Sequence, residues 1–166
     1  SMGGHSEWLI AHELGHQWWG DLVTCSSFHH IWLNEGFARF SEAIWDEASH
    51  GFEAYKSYWQ NHSYFGPGTI YVENPQTAGQ IFNGNLTYNK AGWVVHMLRG
   101  VMGDSLFFES LKSYGYNDSL AYSDVTTEDF KNICEDISGL NLDNFFEQWI
   151  YNCLLYTSDA ADDLVG

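Results

Sequence analysis

The sequence predicts one mostly helical unit, on three observations. Apolar residues return at three- and four-residue intervals over most of the chain rather than in strict alternation. Both prolines, Pro67 and Pro75, fall in one segment, so the strongest helix breakers are concentrated rather than scattered. No internal repeat, coiled-coil heptad or flexible linker divides the chain. At 166 residues it can bury the core of one domain. With 45% hydrophobic and 17% aromatic residues it reads as globular, not disordered.

In chain order, Ser6 is placed to cap a first helix, "EWLIAHELGHQWWGDLV", with Glu7 near its positive end. Trp8, Leu9, Ala11, Trp19 and Val23 supply its apolar spacing. The loop "TCSSFHH" leads into "LNEGFARFSEAIWDEASH", a second helix that Gly51 can end. "FEAYKSYWQNH" follows as a third. Residues 64–85, holding both prolines and several glycines, read as a long surface loop with "IYVE" as a candidate short strand. "TYNKAGWVVHMLRGVMG" and "SLFFESLKSYG" restore helical patterning. The polar connector "YNDSLAYSDV" then reaches "TTEDFKNICEDISG", which has a threonine cap, early acids and a closing glycine. "NLDNFFEQWIY" is the last helix. Beyond it "CLLYTSDAADD" loses all periodicity and looks like the translation of a transposase-type sequencing-library adapter. Residues 153–166 are therefore set apart from residues 1–152 as a non-native tail, and Cys153, Asp159, Asp162 and Asp163 with them.

The formal charge is −16, from 6 Lys+Arg against 22 Asp+Glu. Such a surface repels phosphate backbones and anionic lipid, so neither nucleic acid nor a membrane surface is an expected partner. It does not repel a protonated peptide amino terminus. No apolar run approaches the roughly 20 residues that span a bilayer. "SMGGHSEWLIAHELGH" enters an amphipathic pattern directly, without the layout of a secretion leader. Cys25 and Cys134 stand in no CxxC pair, leaving buried free thiols or a disulfide between them as the two options.

Most of the candidate chemistry lies in "HELGHQWWGDLVTCSSFHHIWLNEGF", residues 12–37. His12 and His16 are four apart, so both imidazoles project from one helix face toward a single point. Glu13 is offset around the helix, where it can reach a metal-activated water without ligating. Hydrolytic zinc usually takes three protein ligands plus water. Glu35, separated from His16 by eighteen residues and early in the next helix, completes the set after a reversal of suitable length. His29 and His30 are adjacent, cannot both face one point, and read as packing or cleft-lining residues. His5, His50, His62 and His96 have no partner spacing and read the same way. Glu42, two turns beyond Glu35 on the same face, or Asp21, is a candidate acceptor for the second imidazole N–H of a ligand histidine. A His2Glu zinc site with an open position activates water for hydrolysis, with Glu13 as general base. Such chemistry also needs an oxyanion donor. Spacing does not choose one among ten tyrosines.

"HELGHQWWGDLVT", "WLNEGFARFSE" and "TYNKAGWVVHMLR" together resemble the zinc aminopeptidase family that includes aminopeptidase N and leukotriene hydrolase, a gluzincin family with HExxH-x18-E spacing. The resemblance runs from about Trp8 to Tyr151. It implies the helical lobe of a thermolysin-like catalytic domain with orthogonally packed helices, one zinc ion on His12, His16 and Glu35, and peptides as substrates. It also selects Tyr88, because the family's YxKG segment falls on "YNKA". Ala91 and Gly92 stand here in the reverse of the common Gly-Ala order, with little consequence expected since both are small. The family's GxMEN-type segment, whose glutamate binds the substrate amino terminus, has no counterpart in "SMGGHSEW". The expectation is a piece of a larger aminopeptidase, inefficient by itself, from an exported protein (periplasmic or extracellular) of a bacterium. A zinc endopeptidase and a non-catalytic zinc-binding fragment are the alternatives.

Overall fold

The computed structural model describes residues 4–117 and 119–152, with side chains from residue 7 onward; the tail at 153–166 lies outside the described residues. The order is α1 (Gly4–Gly15), β1 (Val23–Cys25), a 3-10 turn (Phe28–His30), α2 (Trp32–His50), α3 (Phe52–His62) and a short α4 (Ala78–Ile81). A π-helical segment (Gly84–Lys90) then runs into α5 (Ala91–Met102), followed by α6 (Asp104–Tyr116), β2 (Ser123–Val125) and α7 (Thr127–Ser138). The short α8 (Asp143–Phe146) continues as a second π-helical segment (Glu147–Tyr151).

The expected mainly helical architecture is what forms, and α2 is its axis: α1, α3 and α5 all pack against it. Trp32, Leu33, Phe37 and Phe40 of α2 are buried in the core. Phe37 meets Trp19 and Phe130, each with ring centroids 5.1 Å apart. Burying side chains of this kind contributes about 1.5–3 kcal/mol each. Small residues set how closely the helices approach. A Cβ on Gly36 would lie 2.8 Å from the Cβ of Ala91, so α2 and α5 touch almost backbone to backbone. At Gly15 a Cβ would lie 2.8 Å from Ser41 Oγ, which seats α1 on α2.

Several elements differ from the sequence reading, each for an identifiable reason. The first helix already includes Gly4, so Ser6 lies inside it rather than capping it. It ends at Gly15 instead of reaching Val23. Beyond Gly15 the chain still coils, but Asp21, Leu22 and Val23 donate to residues five back, His16, Gln17 and Trp18. Gly20, with φ +148°, breaks the regular path where a side chain would be strained. The polar connector before α7 contains β2, which pairs in parallel with β1 through Val23↔Ser123, Thr24↔Asp124 and Cys25↔Val125. Three-residue strands carry no periodicity for a sequence to display.

Residues 64–85 are less superficial than expected, since Ile70, Val72 and Ile81 are buried. "IYVE" forms no strand; Tyr71 N–H donates to the carbonyl of Ile150 and Val72 N–H to that of His29. The caps read from sequence at Gly51 and Gly139 are present, and Thr126 forms a capping box with Asp129. Cys25 and Cys134 are free thiols, not a disulfide. Burial pushes Cys25 up to about 11 and Cys134 up to about 12, so neither is a nucleophile at neutral pH. Among the described residues no helix is long and apolar enough to cross a membrane.

Candidate metal centre

One turn of α1 and the first turn of α2 converge. His12 and His16 stand edge to face, ring centroids 4.8 Å apart. Ligand atoms of His12, His16 and Glu35 all lie within 4.8 Å of one another. Glu35 Oε2 is 3.4 Å from Nε2 of His12 and 3.4 Å from Nε2 of His16. That oxygen is buried and has no hydrogen-bond partner. A buried carboxylate oxygen left unpaired is costly, and two imidazole nitrogens at equal distance define a point where a cation would satisfy it. Tetrahedral zinc with bonds of about 2.0–2.1 Å separates neighbouring ligand atoms by roughly 3.3 Å. The three donors fit zinc in chemistry, and Glu35 Oε2 stands at the expected spacing from each imidazole nitrogen.

The opposite edge of each imidazole is occupied. His12 Nδ1 donates to Glu42 Oε1 at 2.8 Å, and His16 Nδ1 donates to the Trp19 carbonyl at 3.0 Å. Both acceptors lack protons, so each ring keeps a proton on Nδ1 and leaves Nε2, which faces the cluster, as the nitrogen that can take a metal. Of the two acceptors considered from sequence, Glu42 is used and Asp21 is not; Asp21 accepts from Gln17 Nε2 instead. The Trp19 carbonyl could not be read from the sequence, because any residue has one. Gly20 makes it reachable: a Cβ there would lie 3.2 Å from the His16 carbonyl and 3.4 Å from His16 Nδ1. Glu42 is itself held by Tyr58, whose hydroxyl donates to Oε2 at 2.7 Å, and by Arg39.

These contacts polarise the cluster. Burial would raise the Glu35 carboxyl, but the two imidazoles outweigh it and hold the group at about 2. Burial would lower His12, yet Glu35 and Glu42 raise it to about 9. His16 is raised chiefly by Glu35, against burial.

Tyr88 lies in the first π-helical segment, its ring stacked on His12 at 6.0 Å. Burial, then the Glu35 carboxylate, then Glu13 raise its phenol well above the usual value, so it keeps its proton as a donor. Glu13 is exposed and faces an open cleft of about 490 Å³ lined also by Trp8, His12, Arg39, His62 and Tyr88. His29 and His30 stay out of the cluster. His29 Nδ1 donates to the Val72 carbonyl, and His30 Nδ1 lies 2.9 Å from Thr127 Oγ1. The exchanged pair at 91–92 also has its explanation: Ala91 abuts Gly36, while Gly92 clears the stem of Arg39.

An exposed carboxylate beside a three-donor cluster is an arrangement compatible with metal-assisted hydrolysis. The Peptidase family M1 domain matches residues 4–149, and the chain belongs to that family. It is 33% identical over 156 residues to aminopeptidase M1 of Arabidopsis thaliana, covering 85% of this chain and 17% of that protein. To aminopeptidase N of Lactococcus lactis subsp. lactis it is 29% identical over 154 residues, covering 86% and 18%. An M1 zinc metallopeptidase of Deinococcus radiodurans, solved as a mutant bound to a Tyr-Ser-Ala substrate, superposes with a TM-score of 0.75 at 25% identity, covering 91% of this chain and 34% of that one. Aminopeptidase A of Legionella pneumophila shares the fold, with a TM-score of 0.76 at 22% identity over 86% of this chain and 16% of that one. The chain thus spans less than a fifth of the length of these curated relatives.

Proposed function

We propose that this chain is the helical part of the catalytic domain of a zinc aminopeptidase, with residues 1–152 forming that part and 153–166 lying outside it. His12, His16 and Glu35 hold the zinc in this reading, Glu13 is the general base, and Tyr88 is the oxyanion donor. The observation that carries the reading is the buried Glu35 Oε2, which makes no hydrogen bond and stands 3.4 Å from two Nε2 atoms whose rings are both fixed through Nδ1. Zinc, when bound, supplies Lewis acidity toward water and the scissile carbonyl. The chain's residues do the rest. Glu13, open to the cleft, takes the proton of the attacking water and returns it to the leaving amine. Tyr88, with its proton held, donates to the carbonyl oxygen as negative charge develops there. Glu42 and the Trp19 carbonyl keep the imidazoles oriented throughout.

Peptides with a free amino terminus are the substrates in this reading, supported by the relatives named aminopeptidase and by the acidity of the chain. An exported bacterial parent is part of the same proposal and rests on the sequence resemblance alone. The test is hydrolysis by the full-length enzyme of paired peptides, one with a free amino terminus and one N-acetylated. Cleavage of the free peptide alone is expected. Equal cleavage of both would overturn the aminopeptidase assignment in favour of an endopeptidase.

A further inference from the structure

Arg39 takes no part in the roles assigned above, yet its guanidinium touches both halves of the site. It stands four residues after Glu35 and three before Glu42 on α2. Its Nη1 donates to Glu42 at 3.1 Å (Oε1) and 3.0 Å (Oε2). Its other edge closes on a single atom: Nε at 3.0 Å and Nη2 at 2.7 Å both donate to Asn89 Oδ1. Asn89 is the neighbour of Tyr88 in the π-helical segment, and Glu42 is the carboxylate that fixes His12. An unbroken series of charge-assisted hydrogen bonds therefore runs from His12 through Glu42, Arg39 and Asn89 to the backbone that carries Tyr88.

The surroundings are shaped for this guanidinium. A Cβ on Gly92 would lie 3.0 Å from Arg39 Cγ and 3.1 Å from its Cβ, so α5 reaches α2 at this level because position 92 has no side chain. Tyr58 presents its ring 5.9 Å from Arg39 Cζ and its hydroxyl to the same Glu42. A lysine would not replace the arginine here. A point ammonium cannot bind a carboxylate on one side and close a fork on an amide oxygen on the other. π-Helical turns are rare and occur frequently at functional sites, and Tyr88 and Asn89 both lie in one.

We propose that Arg39 is a positioning residue that sets the Tyr88 segment relative to the His12–Glu42 pair, with Asn89 Oδ1 as the atom through which it does so. The proposal rests on the zinc aminopeptidase reading. It predicts a split between two readouts that a general structural role would move together. In the full-length zinc-loaded enzyme, Asn89→Leu lowers kcat by on the order of tenfold to a hundredfold with KM little changed, because Tyr88 is misplaced while the metal site is intact. Its zinc affinity, measured by chelator competition, stays at the wild-type value. Arg39→Met lowers kcat similarly and also weakens zinc binding about tenfold to a hundredfold, since Glu42 loses its partner. Asn89→Asp keeps the acceptor oxygen and retains kcat. In the double variant of Arg39→Met and Asn89→Leu, kcat is no lower than with Arg39→Met alone.

Two results would overturn the proposal with the zinc aminopeptidase reading intact: Asn89→Leu at wild-type kcat, or losses that multiply in the double variant. Failure of that underlying reading has its own signature, a wild-type enzyme that binds no zinc or hydrolyses no amino-terminal residue.

Discussion

α1 and α2 each contribute to the same cluster, and they are held in different ways. Between Trp32 and Ala43 every residue of α2 is buried except Asn34, Arg39 and Ser41. On α1, Ala11, His12 and Gly15 are buried, while Leu9, Ile10 and Leu14 are more than half exposed. The buried helix carries the carboxylates, Glu35 and Glu42, whose charge needs a fixed, desolvated setting to act on the imidazoles. The other, seated along one face through Gly15, carries Glu13, which is open to solvent. On the proposed roles the site needs both conditions side by side, and two helices with different burial supply them.

The sharpest way to separate the two helices is to remove one carboxylate from each. On the proposed roles, Glu35→Gln on α2 abolishes zinc binding and hydrolysis together. Glu13→Gln on α1 leaves zinc bound, by metal analysis after gel filtration, but lowers kcat by about 10²–10⁴-fold. Hydrolysis undiminished in Glu13→Gln would remove Glu13 from the base role.

Stability draws the same contrast at a smaller scale. Phe37→Ala opens a cavity at the centre of α2's packing and is expected to cost about 3–5 kcal/mol by urea unfolding. Ile10→Ala on the exposed face of α1 is expected to stay within about 0.5 kcal/mol. Equal losses would mean that α1 is buried in solution as deeply as α2.

The smallest effect tests how α2 tunes α1. Glu35 and Glu42 hold a proton on His12 up to about pH 9, so zinc binding near neutrality must displace it. In enzyme stripped by chelator, zinc affinity should rise by about tenfold per pH unit and level off near 9. In Glu42→Gln the plateau should begin at lower pH, since one of the raising carboxylates is gone. Affinity independent of pH between 6 and 9 (roughly three orders of proton activity) would contradict the coupling.

Much of the candidate site was legible because it is local. His12, Glu13 and His16 lie within one helical turn, and Glu35 follows after a short reversal onto the next helix. The helix ends at Gly51 and Gly139 and the cap at Thr126 were equally readable, each decided by a residue's own backbone preference. Tyr88 came from resemblance, since nothing in its spacing singles it out. The end of α1 was misjudged because the apolar pattern continues through wide turns that mimic a helix.

The helical class, the order of the long helices and the choice of His12, His16 and Glu35 as candidate donors were all readable from the linear chain. These depend on periodicity and on spacings shorter than two helices. Tertiary structure alone decided which acceptor holds each imidazole, that Arg39 clasps Asn89 fifty positions away, and that two three-residue strands tie the His16–Glu35 reversal to the segment before α7. Such contacts are chosen by which side chains remain unsatisfied once the helices have packed, and linear spacing carries no record of that choice.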